Sequence, residues 1–515
     1  MSNNSISENS RYISLSPENG TQFRSGQKVI FEVKPSISFL KGKDCYISLD
    51  LERDTSCMVH PCMLPGVSGL IERMDIYALE SGQLLESLSN YNQWCAIENQ
   101  YMTEDIDNIV YKEGCIPPFM AHKVVSNAET KALTVTPESI LVDTTGATRL
   151  STISQDGYNK SQSFKFMIPI KAGIFNHWSE EEKLTPNLLF GGMRIEITLA
   201  RDEHVLSRVK SQNDDGAAFD MTTRATGIPV ANSANNTLTT TADIAHPQMA
   251  GLFIGGNVTS EGDTAAVTTT ITALTVTAGK IVITTTDANN TGANATIRYA
   301  AADLPIKYIV KNMEMKVLEV IPPQEMMKSV IKESQIDFIS YETFGDNLPT
   351  TSLQHQVEFP TVSTKAKAIF TVYVPDNNAN NNFSPAYYGG TGPSVNKLNS
   401  IQYFINNRNY PQKAYNPDCF EDRIVAYNEM VKAFKACGKT VKKLGNSKNM
   451  ADYSFTYLTA RELARGKDFV FPLKDAEAQL RLEFSGARAS NMKLTSYVFS
   501  VRSIMISKDN LSVVY

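Results

Sequence analysis

The run with the most chemical capacity in this chain is Cys57-Met58-Val59-His60-Pro61-Cys62. Two thiols and an imidazole so close can donate to zinc, but a closed tetrahedral site takes a fourth ligand, usually from a paired C-x-x-C elsewhere. The sequence offers no such pair, so the run reads as a turn whose thiols bind nothing. Gly389-Gly390-Thr391-Gly392-Pro393 lacks the lysine and following helix of a phosphate-binding loop. Gly66-Val67-Ser68-Gly69 lacks the spacing of a nucleophile elbow. Glu180-Glu181-Glu182, just after Trp178, sets carboxylates side by side, whereas glycoside hydrolysis needs them facing each other across a cleft. Lys432, Lys435, Lys439, Lys442, Lys443 and Lys448 gather at the end of a helical stretch and read as a solvated helix end. No catalytic, metal or cofactor residue emerges. The chain is expected to be a non-enzyme.

The elements that carry these residues tell one story twice. An early strand Val29–Val33 and the alternating Cys45–Leu51 have later counterparts in Gln356–Pro360 and Ala368–Val374. Arg73–Tyr77 turns into Leu84-Leu85 and then a helical stretch with Trp94, Ile97 and Tyr101. Ile401–Ile405 turns at Asn406-Asn407 and leads to a helix over Glu421–Cys437, with Gly438 placed to stop it. A Phe-x-Phe strand closed by proline is expected in each copy, at Phe164–Pro169 and at Phe469–Pro472. Alternating strands follow at Met193–Ile197 and Leu480–Phe484, and long final strands at Tyr308–Val320 and Ser496–Ile506. Alternation of this kind buries one face only, which means antiparallel sandwiches. The fold class is all-β: two tandem antiparallel jelly-roll sandwiches with a few short helices. The expected divisions are 1–322 for the first, 323–335 for a linker with a helix-like Glu325–Glu333, and 336–515 for the second.

Between Leu206 and Leu304 large apolar and charged residues give way to Thr, Ala, Asn and Gly. Thr268–Thr277 and Ile281–Thr286 flank Ala278-Gly279-Lys280 as a Thr-rich hairpin. This stretch, 206–304, is read as an insertion between the last two strands of the first sandwich, an exposed loop or small β-appendage without a core. Asp376–Ser394 is read as a second surface loop.

The chain has 515 residues, enough for two large cores, and its 42% hydrophobic and 20% charged content is globular. A net charge of -5 gives no grip for wholesale wrapping of nucleic acid. Met1–Ser10 has neither basic nor apolar character, so no signal peptide is expected there. Seven scattered cysteines fit a reducing compartment, with Cys45 and Cys95 as small core residues. Most of the 21 Tyr and 23 Phe are expected in the core.

Some residues carry a resemblance beyond this: Leu70–Tyr77 through Gly82-Gln83-Leu84-Leu85-Glu86 and Asn90-Tyr91-Asn92; Phe166–Pro169 to Gly192–Ile197; and Ile405–Pro411 before a helix. In order and spacing the chain resembles the double jelly-roll major capsid proteins of icosahedral double-stranded DNA viruses, of the virophage and polinton-like type. The 206–304 insertion is the departure from that pattern. The resemblance implies a homotrimer that acts as a pseudo-hexameric capsomer, tiles a shell with neighbouring capsomers, and resides in the virion after assembly inside the host cell. It implies interior partners in penton and other minor capsid proteins or a membrane, the presence of a membrane being left open, and no sequence-specific nucleic acid. The long connections Asp105–Gln162 and Asp376–Asn399 are candidates for the subunit contacts. A receptor- or carbohydrate-binding spike or fibre is the alternative.

Overall fold

Antiparallel pairing between strands far apart in sequence organises the molecule. The computed structural model describes residues 10–36, 38–53, 59–61, 66–101, 123–126, 133–136, 163–179, 184–208, 228–231, 236–243, 257–261, 267–277, 280–286, 296–299, 307–321, 335–375, 398–416, 420–441, 457–464, 469–474, 477–488, 491–507 and 510–514. The strands of the first sandwich are β1 (Ser10–Leu15), β2 (Lys28–Val33), β3 (Tyr46–Arg53), β4 (Ile71–Ala78), β5 (Leu84–Ser89), β6 (Ser163–Pro169), β7 (Met193–Leu199) and β8 (Tyr308–Val320). One sheet runs β1-β8-β3-β6 and the other β2-β7-β4-β5. The second set is β9 (Gln335–Leu348), β10 (Gln354–Glu358), β11 (Ala366–Pro375), β12 (Leu398–Ile405), β13 (Arg408–Tyr415), β14 (Tyr457–Glu462), β15 (Ala478–Phe484) and β16 (Met492–Ser507). Its sheets run β9-β16-β11-β14 and β10-β15-β12-β13. Adding eight to each label of the first set gives the second. Two eight-stranded jelly rolls of identical strand order stand in one chain.

Alternation explains the burial. In β7, Met193, Ile195, Ile197 and Leu199 are buried while Arg194, Glu196 and Thr198 are partly solvated. Each roll also places a helix between its fifth and sixth strands. Helix α1 (Tyr91–Tyr101) buries Trp94, Ile97 and Tyr101. Helix α2 (Phe420–Ala436) ends where Gly438 takes a left-handed φ of 73° and the Lys439 amide reaches the Phe434 carbonyl at 3.0 Å.

Two expectations need correction. The partner of β11 is β14, not the Phe-x-Phe run. Leu458 and Ala460 are buried on β14 with Thr459, whereas Phe469 and Val470 face solvent and only Phe471 pairs, through an isolated two-way bridge to Ala366. A three-residue apolar run before a proline cannot sustain the period-two pattern of a wall strand. The Thr-rich stretch is also more than an appendage without a core. Its strands Ile228–Ala231, Thr237–Asp243, Asn257–Glu261, Val267–Thr277, Lys280–Thr285 and Thr296–Tyr299 close into a barrel between β7 and β8. Leu238, Val258, Ile271 and Ile283 are buried in it. These four aliphatic residues, with the buried Thr269 and Thr285, supply the described interior of so narrow a tube. The linker helix at Glu325–Glu333 and the loop at Asp376–Ser394 lie outside the described residues. Several further strands had no counterpart in the sequence reading, among them β1, β9, the short Gln22–Phe23 and Phe39–Leu40 that pair with β8, and Asn510–Val514, which folds back on β16.

The connection that corresponds to the barrel in the second roll spans only residues 485–491. A chain lacking residues 227–300, closed by a short Gly/Ser link, should therefore keep the far-ultraviolet and thermal signature of the two rolls. Its main melting transition should shift by no more than a few degrees in differential scanning fluorimetry.

Candidate functional site: the seam between the two rolls

The seam is built on α1 and on the turns that follow β6. Trp94 sits within 5.3 Å of Phe370, 5.1 Å of Tyr497, 4.6 Å of Phe499 and 5.8 Å of Tyr341, ring centre to ring centre. Trp178 adds contacts at 5.6 Å to Tyr341 and 5.4 Å to Phe499. The four partners come from β9, β11 and β16. Thr371, alternate to Phe370 on β11, and Thr459 of the neighbouring β14 meet Tyr403 of the opposite sheet, so the aromatic rows point out of the second roll and into the first. Buried side chains of both rolls form one continuous apolar cluster.

Two buried carboxylates are set into this seam. Glu98, one helical turn after Trp94, accepts from Trp94 Nε1 at 3.1 Å, Trp178 Nε1 at 2.7 Å and His177 Nε2 at 2.9 Å. Lys171 Nζ lies 3.4 Å away and donates to Asn99 Oδ1 at 2.8 Å. Burial on its own opposes charge on Glu98, but the attraction of His177 and Lys171 outweighs it and holds the carboxyl well below its usual range. At His177 burial prevails, pushing the imidazole down to about 4 although Glu98 sits beside it. The ring is then neutral at pH 7 with its proton on Nε2, which is the atom that faces the carboxylate.

Glu86 on β5 is the second. It accepts from the amides of Gly173 at 3.0 Å and Ile174 at 2.9 Å, and from Ser340 Oγ of β9 at 2.6 Å. Burial raises its pKa, against these donors and the charge of Arg502. Gly173 has no alternative residue here. A Cβ would strike the Ile339 carbonyl oxygen of β9 and the side chains of Phe338 and Glu86. Tyr497 completes the crossing by donating to the Asn90 carbonyl at 3.1 Å, with Gln93 Oε1 at the same distance.

This arrangement clamps: the donors named around Glu98 and Glu86 tie α1, the connection after β6 and β9 together. Of the residues weighed from sequence, Ser68 is buried in a helical turn, Gly66–Leu70. Val59–Pro61 forms a short strand on Leu206–Arg208, while Cys57 and Cys62 lie outside the described residues, as do Glu180, Glu181, Glu182 and Gly389–Pro393. Among the described residues no group of His, Cys, Asp and Glu could hold a metal ion, and no helix is long and apolar enough to cross a membrane. Cys45 and Cys95 are core thiols, and burial pushes Cys45 up to about 12. The lysine group splits: Lys432 pairs with Glu429 on the helix surface, but Lys439 turns inward toward Glu98, and burial lowers its pKa. Lys442, Lys443 and Lys448 lie outside the described residues. Glu86 was quoted from the sequence only within the resemblance and given no role, and Glu98 went unnoticed, although a Trp-x-x-x-Glu spacing on a helix does set an acid on the tryptophan's face.

Two outcomes are expected from this geometry. Trp94→Ala should cost about 3–5 kcal/mol by denaturant unfolding, with Trp94→Phe recovering part of it. The unfolded chain takes a proton on His177 below pH 6.5 that the folded seam refuses until about pH 4. Stability should thus fall as pH drops through that window, by at most about 3 kcal/mol from this group. His177→Gln, which keeps a donor toward Glu98, should flatten the pH dependence of the melting temperature between pH 6.5 and 4.

No family model matches the chain, and no curated protein matches it significantly. Solved structures do. The Faustovirus major capsid protein aligns over 97% of this chain and 90% of its own at 10% identity, with a TM-score of 0.51. The PBCV-1 virus capsid aligns over 98% and 96% at 10% identity, with a TM-score of 0.49, and the mavirus major capsid protein over 98% and 90% at 9%, with a TM-score of 0.37. In fold, along nearly its whole length, the chain is similar to the Faustovirus major capsid protein, as a double jelly roll.

Proposed function

We propose that this chain is the major capsid protein of an icosahedral virus, a wall subunit that trimerises into pseudo-hexameric blocks and resides in the virion. The observation that carries this is the duplication itself: two rolls of identical strand order locked side by side by a dry aromatic seam. A rigid pair of like units lets a three-fold ring present six similar edges, which is what a hexagonal tile requires. A sandwich spike or fibre that binds a receptor or a glycan needs one roll and a ligand cleft, and gains nothing from a second roll in fixed register. The fold likeness to a viral wall protein supports the same reading and, since neighbours of that kind are structural, supports a non-catalytic role. The domain limits proposed with it are 1–322 and 336–515, joined by 323–335.

The ends of the rolls differ in a way that suits a wall. At the end where Arg53 faces Tyr308 and Ser163 faces Glu52, the connections are long and include the barrel. At the opposite end lie Ser10 paired with Val320, Gln335 paired with Met505, and tight turns such as Asn406-Asn407, both in left-handed conformation. We assign the long-connection end to the particle exterior and the other to the interior, where penton and other minor capsid proteins or a membrane are the partners.

Purified protein should run as a trimer by light scattering and show hexagonal outlines or shells by negative-stain electron microscopy, with subunit contacts above about 2,000 Å². A strictly monomeric chain at high concentration overturns the proposal. On assembled particles, an epitope inserted between Thr277 and Lys280 should bind antibody, while the same epitope at Asn406-Asn407 should stay hidden.

A further inference from the structure

The seam inside the chain has a direction. The side of the first roll formed by β5, α1 and the connection after β6 docks onto the first strand and outward sheet face of the second roll: Glu86 on Ser340 of β9, Gly173 against Ile339, Trp94 and Trp178 on Tyr341 and Phe499. Because the rolls share one topology, each surface has a counterpart on the other roll, and the described chain leaves those counterparts uncovered. On the second roll the connection after β14 exposes Phe469 at 63% and Val470 at 45%, next to the start of β11, where Lys367 Nζ donates to the Phe469 carbonyl. In the first roll the matching connection buries Ile170, Ile174 and Trp178. On the first roll, β1 turns Ile13 and Leu15 to the core and leaves Tyr12 56% exposed, 6.1 Å from Tyr46 on the same outward face. The matching row of the second roll, Tyr341 with Phe499, is fully covered.

We infer that the uncovered pair is the subunit contact: Phe469 and Val470 of one copy seat on the Tyr12–Tyr46 face of the next. This rests on the trimeric wall reading and adds to it the surfaces that join. The occupant is a second copy of this chain because these two surfaces are the complementary halves of a contact that the chain already makes once within itself. The contact is head-to-tail, since it joins unlike surfaces, and a head-to-tail contact closes into a ring when its rotation is a whole fraction of a turn, as the trimeric reading requires. It also shifts the expected subunit contact away from the long connections Asp105–Gln162 and Asp376–Asn399 and toward the sheet faces near the opposite end. The two aromatic sides are large and stiff, as residues that anchor interfaces are. In the isolated subunit Phe469 and Val470 serve no core, so their removal should spare the fold.

The test uses full-length chains with one added cysteine each. Tyr12→Cys and Phe469→Cys chains, co-expressed and treated with a short bismaleimide, should yield covalent dimers. Neither variant alone should do so beyond the wild-type background. Phe469→Asp should convert trimer to monomer by light scattering at an unchanged melting temperature, and Phe469→Leu should restore trimer. Crosslinking of either variant with itself means a like-with-like contact and overturns the inference. So does a trimer that persists in Phe469→Asp without any 12-to-469 crosslink, a result that leaves the wall reading standing and assigns Phe469 to another partner. A wild-type chain that never trimerises removes the wall reading first, and this inference with it.

Discussion

The constraint on which the rest depends is the burial of charge between the two rolls. Glu98 is taken out of water into an aromatic wall, an arrangement that costs several kcal/mol unless the carboxylate is fully paired. It is paired by two indole N–H groups, one neutral imidazole and one ammonium, and these come from α1 and from the connection after β6. The donors occupy those positions only when that connection is folded against α1. The aromatic surface offered to the second roll is the outer side of the same assembly, since Trp94 and Trp178 both donate to Glu98 and both touch Tyr341 and Phe499. Polar pairing on one side of each indole thus fixes the apolar contact on the other.

Much of the fold was legible because wall strands are long, one-sided and punctuated. β7 announces itself by strict alternation, and its burial follows it residue by residue, while β8 and β12 alternate over Met313–Leu318 and Ile401–Ile405 and break the period at bulges. The Phe469–Pro472 run misled because composition imitated a strand where a single bridge at Phe471 is all that pairs, while β14 is short and carries threonine on a buried face. The barrel misled for a related reason. Threonine covers its outside, and the few aliphatic residues that fill it are too sparse to signal a core without knowledge that the strands close. The seam was the least legible part. Glu86 and Glu98 look like surface acids in a linear reading, and their donors stand from 73 to 254 residues away, except for Trp94.

Sameness of topology coexists with difference of surface, and the difference is informative. The outward rows at the middle of the first sheet are Tyr341, Tyr497, Phe499 and Phe370 in the second roll. In the first roll β1, β3 and β8 instead carry Tyr12, Tyr46 and Lys316 there, with Lys316 donating to Ser14. A face meant to be dry from the moment of folding can be wholly aromatic. A face that must stay soluble until a second chain arrives is better served by a few half-exposed rings among charges, because a large exposed apolar patch invites aggregation.

The two carboxylates contribute differently to the choice of register. Aromatic stacking is tolerant of small slides, since rings attract at many offsets. Hydrogen bonds to a buried carboxylate are not, and each unmatched donor or acceptor costs a desolvation penalty. Glu86 is the sharper of the two, because it must find two consecutive amides and one hydroxyl from another roll at once, and Gly173 lets the backbones approach that closely. Any displacement of the second roll along the seam breaks the Ser340 bond while leaving Glu86 buried. The apolar contacts therefore supply most of the attraction between the rolls, and the polar ones select a single alignment from the many that stacking alone would allow.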